Sequence, residues 1–308
     1  MNNVFCTVVS KLRLYQLVAF VMSVHEVLDN FLIYVLCVDD DSFNLLNKIQ
    51  FNNVRLVHLC SFNDKRLLSL KNERALNEYC WTLKPFFIYH LIKKNNFIER
   101  ITYVDSDLFF WRNPEKIFLN QPDSSILLSK GNLVIPFLEK EIIQKLQELM
   151  GLYNSGFISF KNDKIGRSCI KWWKEKCLNS CINTPQEGQF GDQKYLDDIP
   201  ALFKNTEVIK TPGVNIGHWN NLGHEFCLTE GKITVDGDEL ICYHFSGFRI
   251  VNKDTIITIH EIGRVDTPFF YQIYKEILKK IINMVCKADK DFDGFANKED
   301  LMHGEGGV

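Results

Sequence analysis

The chain is expected to fold as an α/β domain built on a Rossmann-like sheet, followed by a helical tail. Short apolar, β-branched runs alternate with longer helical ones through roughly the first 100 of its 308 residues, which is the pattern of parallel strands joined by crossover helices. One such run, ITYV, is followed directly by two aspartates, Asp105 and Asp107, as when a buried strand delivers carboxylates to the open end of a sheet. The composition is 46% hydrophobic, 24% charged and 13% aromatic with a formal net charge of -2. That is ordinary for a globular protein and carries neither the basic footprint of a nucleic-acid binder nor the polarity of a disordered chain. The length suits one large domain, placed at residues 1–265, with the tail at 266–308.

Taken in order, residues 4–9 read as the first strand, 15–28 as a helix and 31–38 as the second strand, which ends at Asp39, Asp40 and Asp41. A helix over 42–50 and a third strand over 54–59 follow. The helical stretch 65–94 is expected to break at Pro85, because proline lacks the donor that a helix interior needs. Residues 101–104 then carry the aspartate pair. Farther on, 125–129 and 157–160 read as strands, 139–150 and 170–178 as helices, and a helix starting at 193–196 is expected to stop at Pro200. The tail opens with a helix over 269–287.

In an extended segment residues i and i+2 share a face, so Asp105 and Asp107 can address one hard cation across the small Ser106. An ion held by so few carboxylates keeps open positions for diphosphate oxygens, and the substrate expected from this is a nucleotide diphosphate. A solvated strand end or a helix cap accounts for the same three residues.

Four further segments follow in a recognisable order: YNSGFISF at 153–160, GDQKYL at 191–196, NIGHWN at 215–220 and YHFSGF at 243–248. Together with the aspartate pair they resemble nucleotide-sugar glycosyltransferases of the GT-A fold, and among those the family 8 type most closely. The resemblance covers about residues 1–250 and implies a mixed sheet flanked by helices. It further implies a hexosyltransferase that moves sugar from a nucleotide diphosphate, UDP by default, to a hydroxyl of a glycan, lipid or protein, with retention of configuration. Asp105, Asp107 and His244 then hold Mn²⁺ or Mg²⁺, and an imidazole beside two carboxylates favours Mn²⁺.

The same resemblance implies that Asn154 and Gly156 wall the donor sugar and that Asp192 and Gln193 face the reacting centre. His244 opens an H-x-x-G stretch with Gly247, after which the family has a lysine that grips phosphate; this chain has Phe248, Arg249 and Ile250 there, with Arg249 as the candidate substitute. Thr7, Val8 and Asp39, near the ends of the first two strands, are placed against base and ribose. Arg74 and Lys84 reach for the diphosphate or the carboxylate pair, and Trp219 and Asn220 line the acceptor side. Plain alternatives stand beside several of these: an N-cap for Asp192, a solvated turn for Asp39 to Asp41, an interior histidine for His244.

Asp289, Asp291, Asp293, Asn297 and Asp300 occupy positions 1, 3, 5, 9 and 12 of an EF-hand-like loop, with Gly294 at position 6, so weak Ca²⁺ binding is weighed against an acidic, poorly ordered tail. The helix before it, with Lys275, Lys279, Lys280 and Lys287 among Ile and Leu, is expected to pack on the domain, with peripheral membrane contact as the alternative. The apolar stretches at 17–24 and 31–38 are too short to span a bilayer, and no secretory signal is read at the N-terminus. Ten cysteines without a CxxC pair, among them Cys6, Cys37, Cys60, Cys80 and Cys242 in apolar runs, fit buried, reduced thiols in the cytoplasm. Cys177 and Cys181 lack partners for zinc. Two rival functions are a haloacid-dehalogenase-like phosphatase, which also sets D-x-D after a strand, and a non-catalytic sugar-binding or scaffold module.

Overall fold

A computed structural model describes residues 3–186, 188–263 and 266–296. In chain order the first half runs β1 (Asn3–Val9), α1 (Leu14–Val27), β2 (Phe31–Cys37), α2 (Asp40–Ile49), β3 (Val54–His58), α3 (Lys65–Glu73), α4 (Leu76–Lys94), β4 (Arg100–Val104), β5 (Leu108–Phe110) and α5 (Glu115–Asn120). Then come β6 (Ile126–Lys130), α6 (Lys140–Met150), β7 (Tyr153–Lys161), α7 (Lys164–Asn179), α8 (Ile199–Leu202), β8 (Thr206–Val208) and β9 (Ile216–Gly217). The remainder is β10 (Phe226–Thr229), β11 (Lys232–Val235), β12 (Asp238–Glu239), β13 (Cys242–His244), β14 (Phe248–Ile250), β15 (Ile256–Thr258), α9 (Ile259–Gly263) and α10 (Phe270–Ala288).

The central sheet has the order β3-β2-β1-β4-β7-β6-β8, with β7 antiparallel to both neighbours and the other pairs parallel. The α/β architecture with a mixed sheet and flanking helices is therefore as expected. β1 lies between β2 and β4, so the crevice beyond the carboxyl ends of β1 and β4 is where an open α/β sheet takes a ligand.

Side-chain alternation along β1 divides the core. Phe5 and Val9 face α1, β5, β13 and α10, while Val4, Cys6 and Val8 face α4 and α7. The tail helix α10 buries Phe270, Tyr271, Tyr274, Leu278, Ile281, Ile282 and Val285 in the first of these clusters, so its apolar face is spent on the domain. Among the described residues no helix is long and apolar enough to cross a membrane.

Several local expectations are corrected. α4 runs unbroken through Pro85, and the interruption falls instead at Arg74 and Ala75, between α3 and α4. Burial on both sides of Pro85 outweighs the one lost backbone bond. Pro200 begins α8 rather than ending a helix, since its missing N–H costs nothing in a first turn. Residues 194–198 form a 3₁₀ turn. Cys60 is exposed in the 3₁₀ turn after β3, whereas seven of the ten free thiols are buried. The small sheet β5-β13-β9 and the β10-β11-β12 meander had no clear sequence signal, because strands of two to four residues are too short to show a period.

Candidate active site

The aspartate pair meets its ligand partner through the small sheet. After β4 the chain makes a turn in which the Leu108 N–H donates to Asp105 O at 3.1 Å, so the two carboxylates converge through a turn rather than along one strand face. β5 then pairs antiparallel with β13, setting Leu108 opposite His244, and the Phe245 N–H donates to Asp107 O at 2.9 Å. The histidine, 137 residues later in the chain, is thereby fixed one register step from Asp107. One ligand atom from each of Asp105, Asp107 and His244 lies within 4.8 Å of the others, and all three residues are buried.

The chemistry of these atoms fits a cation. His244 Nε2 is 2.9 Å from Asp107 Oδ1 and 3.7 Å from Asp105 Oδ2. Yet Nε2 and both Asp107 oxygens have no aligned hydrogen-bond partner, although they are shut away from solvent. Atoms about 3 Å apart without a bond between them have the spacing of neighbouring ligands around an ion at about 2.1 Å. Burial pushes the Asp107 carboxyl up, but a facing His244, when protonated, and the more distant Arg13 pull it down. A buried, unbonded carboxylate costs several kcal/mol unless a positive charge answers it.

Lys84 answers part of the charge. Reaching in from α4, its Nζ lies 2.9 Å from Asp105 Oδ1 and 3.6 Å from Asp192, and it donates to Ser155 Oγ at 3.2 Å. Burial opposes its ammonium, but Asp105 and Asp192 raise its pKa and keep it charged. Burial likewise raises Asp192, with Lys84 acting against that shift. With His244 counted as neutral, three carboxylates and one ammonium carry two formal negative charges, which a divalent cation would balance. Asp105 Oδ1 also accepts from the Tyr103 hydroxyl at 2.9 Å.

These groups floor a cavity of about 510 Å³, a size ordinary for small-molecule sites. Lys84, Asp105, Asn154, Asp192, Gln193, Trp219 and His244 line it, joined by Trp81, Phe190 and His218, which the sequence reading did not single out. Burial, then His244 and His260, lower His218 to about 3, so it is neutral in the wall. β7 supplies Asn154, and its register against β6 jumps between Leu128 and Ser129, which frees residues 155–157 from β6. Trp219 sets its ring edge-on to His244 at 5.2 Å and donates to Gly131 O at 2.8 Å, while Asn220 is buried behind it.

Other predicted residues do not reach the cavity. Asp39 caps α2, accepting from the Ser42 N–H and the Lys11 N–H, each at 2.8 Å. Thr7 and Val8 are buried on opposite faces of β1. The Arg74 guanidinium does not approach the carboxylates. It donates to the Cys177 and Leu178 carbonyls at 2.7 and 3.0 Å, where the end of α7 leaves acceptors open. Arg249 donates to Ser246 O at 2.7 Å, and the Gly247 oxygen accepts from the Ile259 N–H. In the tail, Asp289 pairs with Lys48 at 2.6 Å, Asp291 and Asp293 are not gathered with it into a cluster, and Asn297 and Asp300 lie outside the described residues.

Gly156 also makes room for the histidine. A Cβ there would lie 2.4 Å from His244 Cε1, 2.7 Å from Nδ1 and 2.8 Å from Asn154 Oδ1. Gly156→Ala is predicted to push His244 off the carboxylates and weaken Mn²⁺ binding at least about 10-fold while leaving Asp105 and Asp107 untouched, which titration calorimetry with Mn²⁺ checks.

Relatives fix the lineage. The chain is 50% identical over 301 residues to the uncharacterized protein YfnF of Bacillus subtilis (strain 168), covering 97% of this chain and 99% of YfnF. It is 33% identical over 301 residues to YfnD of the same organism, covering 96% and 94%. The chain belongs to the YfnF and YfnD family. No protein-family model matches it. Among solved structures it is similar in fold to the galactosyltransferase LgtC in complex with donor and acceptor sugar analogues, with a TM-score of 0.55 at 12% identity over 90% of this chain and 95% of that one. The glycosyltransferase GlyE of Streptococcus pneumoniae TIGR4 gives 0.52 at 13% identity over 97% of this chain and 66% of that one. At such identities the likeness speaks to the fold, which is GT-A.

Proposed function

We propose that this member of the YfnF and YfnD family is a metal-dependent glycosyltransferase of the family 8 type. It moves a hexosyl group from a nucleotide diphosphate, UDP-sugar by preference, to a hydroxyl of a glycan, lipid or protein. One observation carries the reading: Asp105, Asp107 and His244 converge, the Asp107 oxygens and His244 Nε2 are left without hydrogen-bond partners, and Asp105 and His244 open onto a cavity beyond the carboxyl ends of the central strands, where the fold takes ligands. These three residues would hold Mn²⁺, or Mg²⁺ as second choice. Bound there, the ion would act as a Lewis acid toward the negative charge developing on the diphosphate.

The protein's own groups do the rest. Asn154 and Gln193 offer amides to sugar hydroxyls, and the Trp81 and Phe190 rings offer apolar faces farther out. Asp192 is engaged with Lys84, which supports a role in positioning the sugar over that of a free base, and so favours retention. The fold speaks against the phosphatase alternative, and buried carboxylates without donors speak against a scaffold that has no need of an ion. A cytoplasmic setting suits the ten free cysteines.

The test is calorimetry with UDP in the presence and absence of Mn²⁺, followed by a panel of nucleotide sugars read by released nucleotide. UDP binding that disappears with EDTA, and turnover of one donor, are expected. Binding indifferent to metal, or no turnover with any donor, would overturn the proposal.

A further inference from the structure

Behind His244 runs a chain of amides whose orientations are not free. The Gly156 N–H can only donate, so the Asn154 atom it meets at 2.9 Å is the carbonyl Oδ1. Asn154 Nδ2 then faces Gln193 Oε1 at 3.1 Å, which leaves Gln193 Nε2 to donate to Met150 O at 3.2 Å, a second backbone anchor that agrees with the first. Asn215 meets Asn154 Oδ1 at 2.9 Å and must present Nδ2 there. Its own Oδ1 therefore faces His244 Nδ1 at 3.2 Å and accepts a hydrogen from it.

Asn215 has a second mark. Its φ is +56°, in the left-handed region, and of the seven non-glycine residues with positive φ among the described residues it alone is buried; the other six are exposed. It is 1% exposed, and its N–H meets Cys242 Sγ at 3.3 Å. Asparagine tolerates this conformation better than most residues, and buried non-glycine residues held there tend to cluster at functional sites.

We infer that Asn215 is a positioning residue that keeps the proton of the neutral His244 ring on Nδ1 and so presents the Nε2 lone pair to the space between Asp105 and Asp107. The inference rests on the proposed metal site only for its purpose; the state of the ring is a property of the metal-free protein. The same chain of bonds ties the metal-facing histidine to Gln193, on the proposed sugar side of the cavity, so the two ends of the site are set by one network.

Two variants separate this from general damage. Asn215→Gly removes the amide yet suits the positive φ, so strain is not introduced. Asn215→Asp keeps an acceptor for Nδ1 and also tolerates the conformation. Histidine ¹⁵N NMR of the metal-free proteins, read on the neutral ring, is expected to place the proton on Nδ1 in the wild type and in Asn215→Asp, and on Nε2 in Asn215→Gly. Mn²⁺ affinity should fall roughly 10- to 100-fold in Asn215→Gly, with cooperative unfolding retained. A wild-type ring protonated on Nε2 overturns the inference, as does an Asn215→Gly variant that keeps Nδ1–H and binds Mn²⁺ within about twofold of the wild type. If the ring behaves as expected and Mn²⁺ binds none of the proteins, the inference stands and the metal-dependent function falls.

Discussion

Asp107→Asn is expected to abolish donor turnover and to abolish the stabilisation that Mn²⁺ gives the wild type. The two effects have one cause. Asp107 is fully buried, and within the chain only the facing His244 and the more distant Arg13 answer its charge. Asparagine keeps the shape but takes one carboxylate away from a divalent ion. Losing several kcal/mol of charge stabilisation at the departing diphosphate, about 4 kcal/mol, corresponds to roughly a 10³-fold fall in turnover. Nucleotide-release assays and thermal melts with and without Mn²⁺ check both halves. A variant that keeps a tenth of wild-type turnover, or whose melting point still rises with Mn²⁺, would show that Asp107 is not a ligand.

Much of this site was legible in the chain because its parts are local. An apolar run followed by Asp105 and Asp107 places itself at a sheet edge, and β13 carries His244 within a recognisable stretch. What could not be read was how the parts face each other. Asp39 caps a helix and has the same sequence appearance as a ligand, since one carboxylate serves a backbone N–H and a ribose hydroxyl equally well. Arg74 lies in the break before α4 and Lys84 ten residues on within it, so one ties α7 down and the other enters the cavity, a difference that two basic residues in one helical-looking stretch do not report. Asn215 opens the NIGHWN segment, but nothing there assigned it a role. Its importance comes from a positive φ and three partners drawn from distant segments, Asn154, Cys242 and His244. Pro85 failed as a helix breaker for the complementary reason: α4 is held by burial along its length, so the proline's local penalty is outweighed.

Lys84→Met should produce the largest loss of stability of any single change at the site. The side chain is 1% exposed, its ammonium contacts Asp105, Asp192 and Ser155, and it lies 5.2 Å from the centre of the Tyr103 ring. Methionine fills similar volume but leaves two buried carboxylates facing each other, and breaking a buried pair this way costs about 3 to 5 kcal/mol. Urea unfolding of the metal-free protein reads that loss directly. Mn²⁺ should then restore more stability to the variant than to the wild type, because a site with three negative charges and no ammonium holds a divalent ion more tightly, and binding to the native state alone stabilises by mass action. Adding Asp192→Asn to Lys84→Met should recover part of the loss, since it removes one of the two stranded charges, and the two changes would be non-additive as expected for groups in contact. A Lys84→Met protein within about 1 kcal/mol of the wild type, or a double variant no better than the single one, would mean that this lysine does not offset the burial of Asp105 and Asp192. The charge balance that points to a divalent ion would then have to be redrawn.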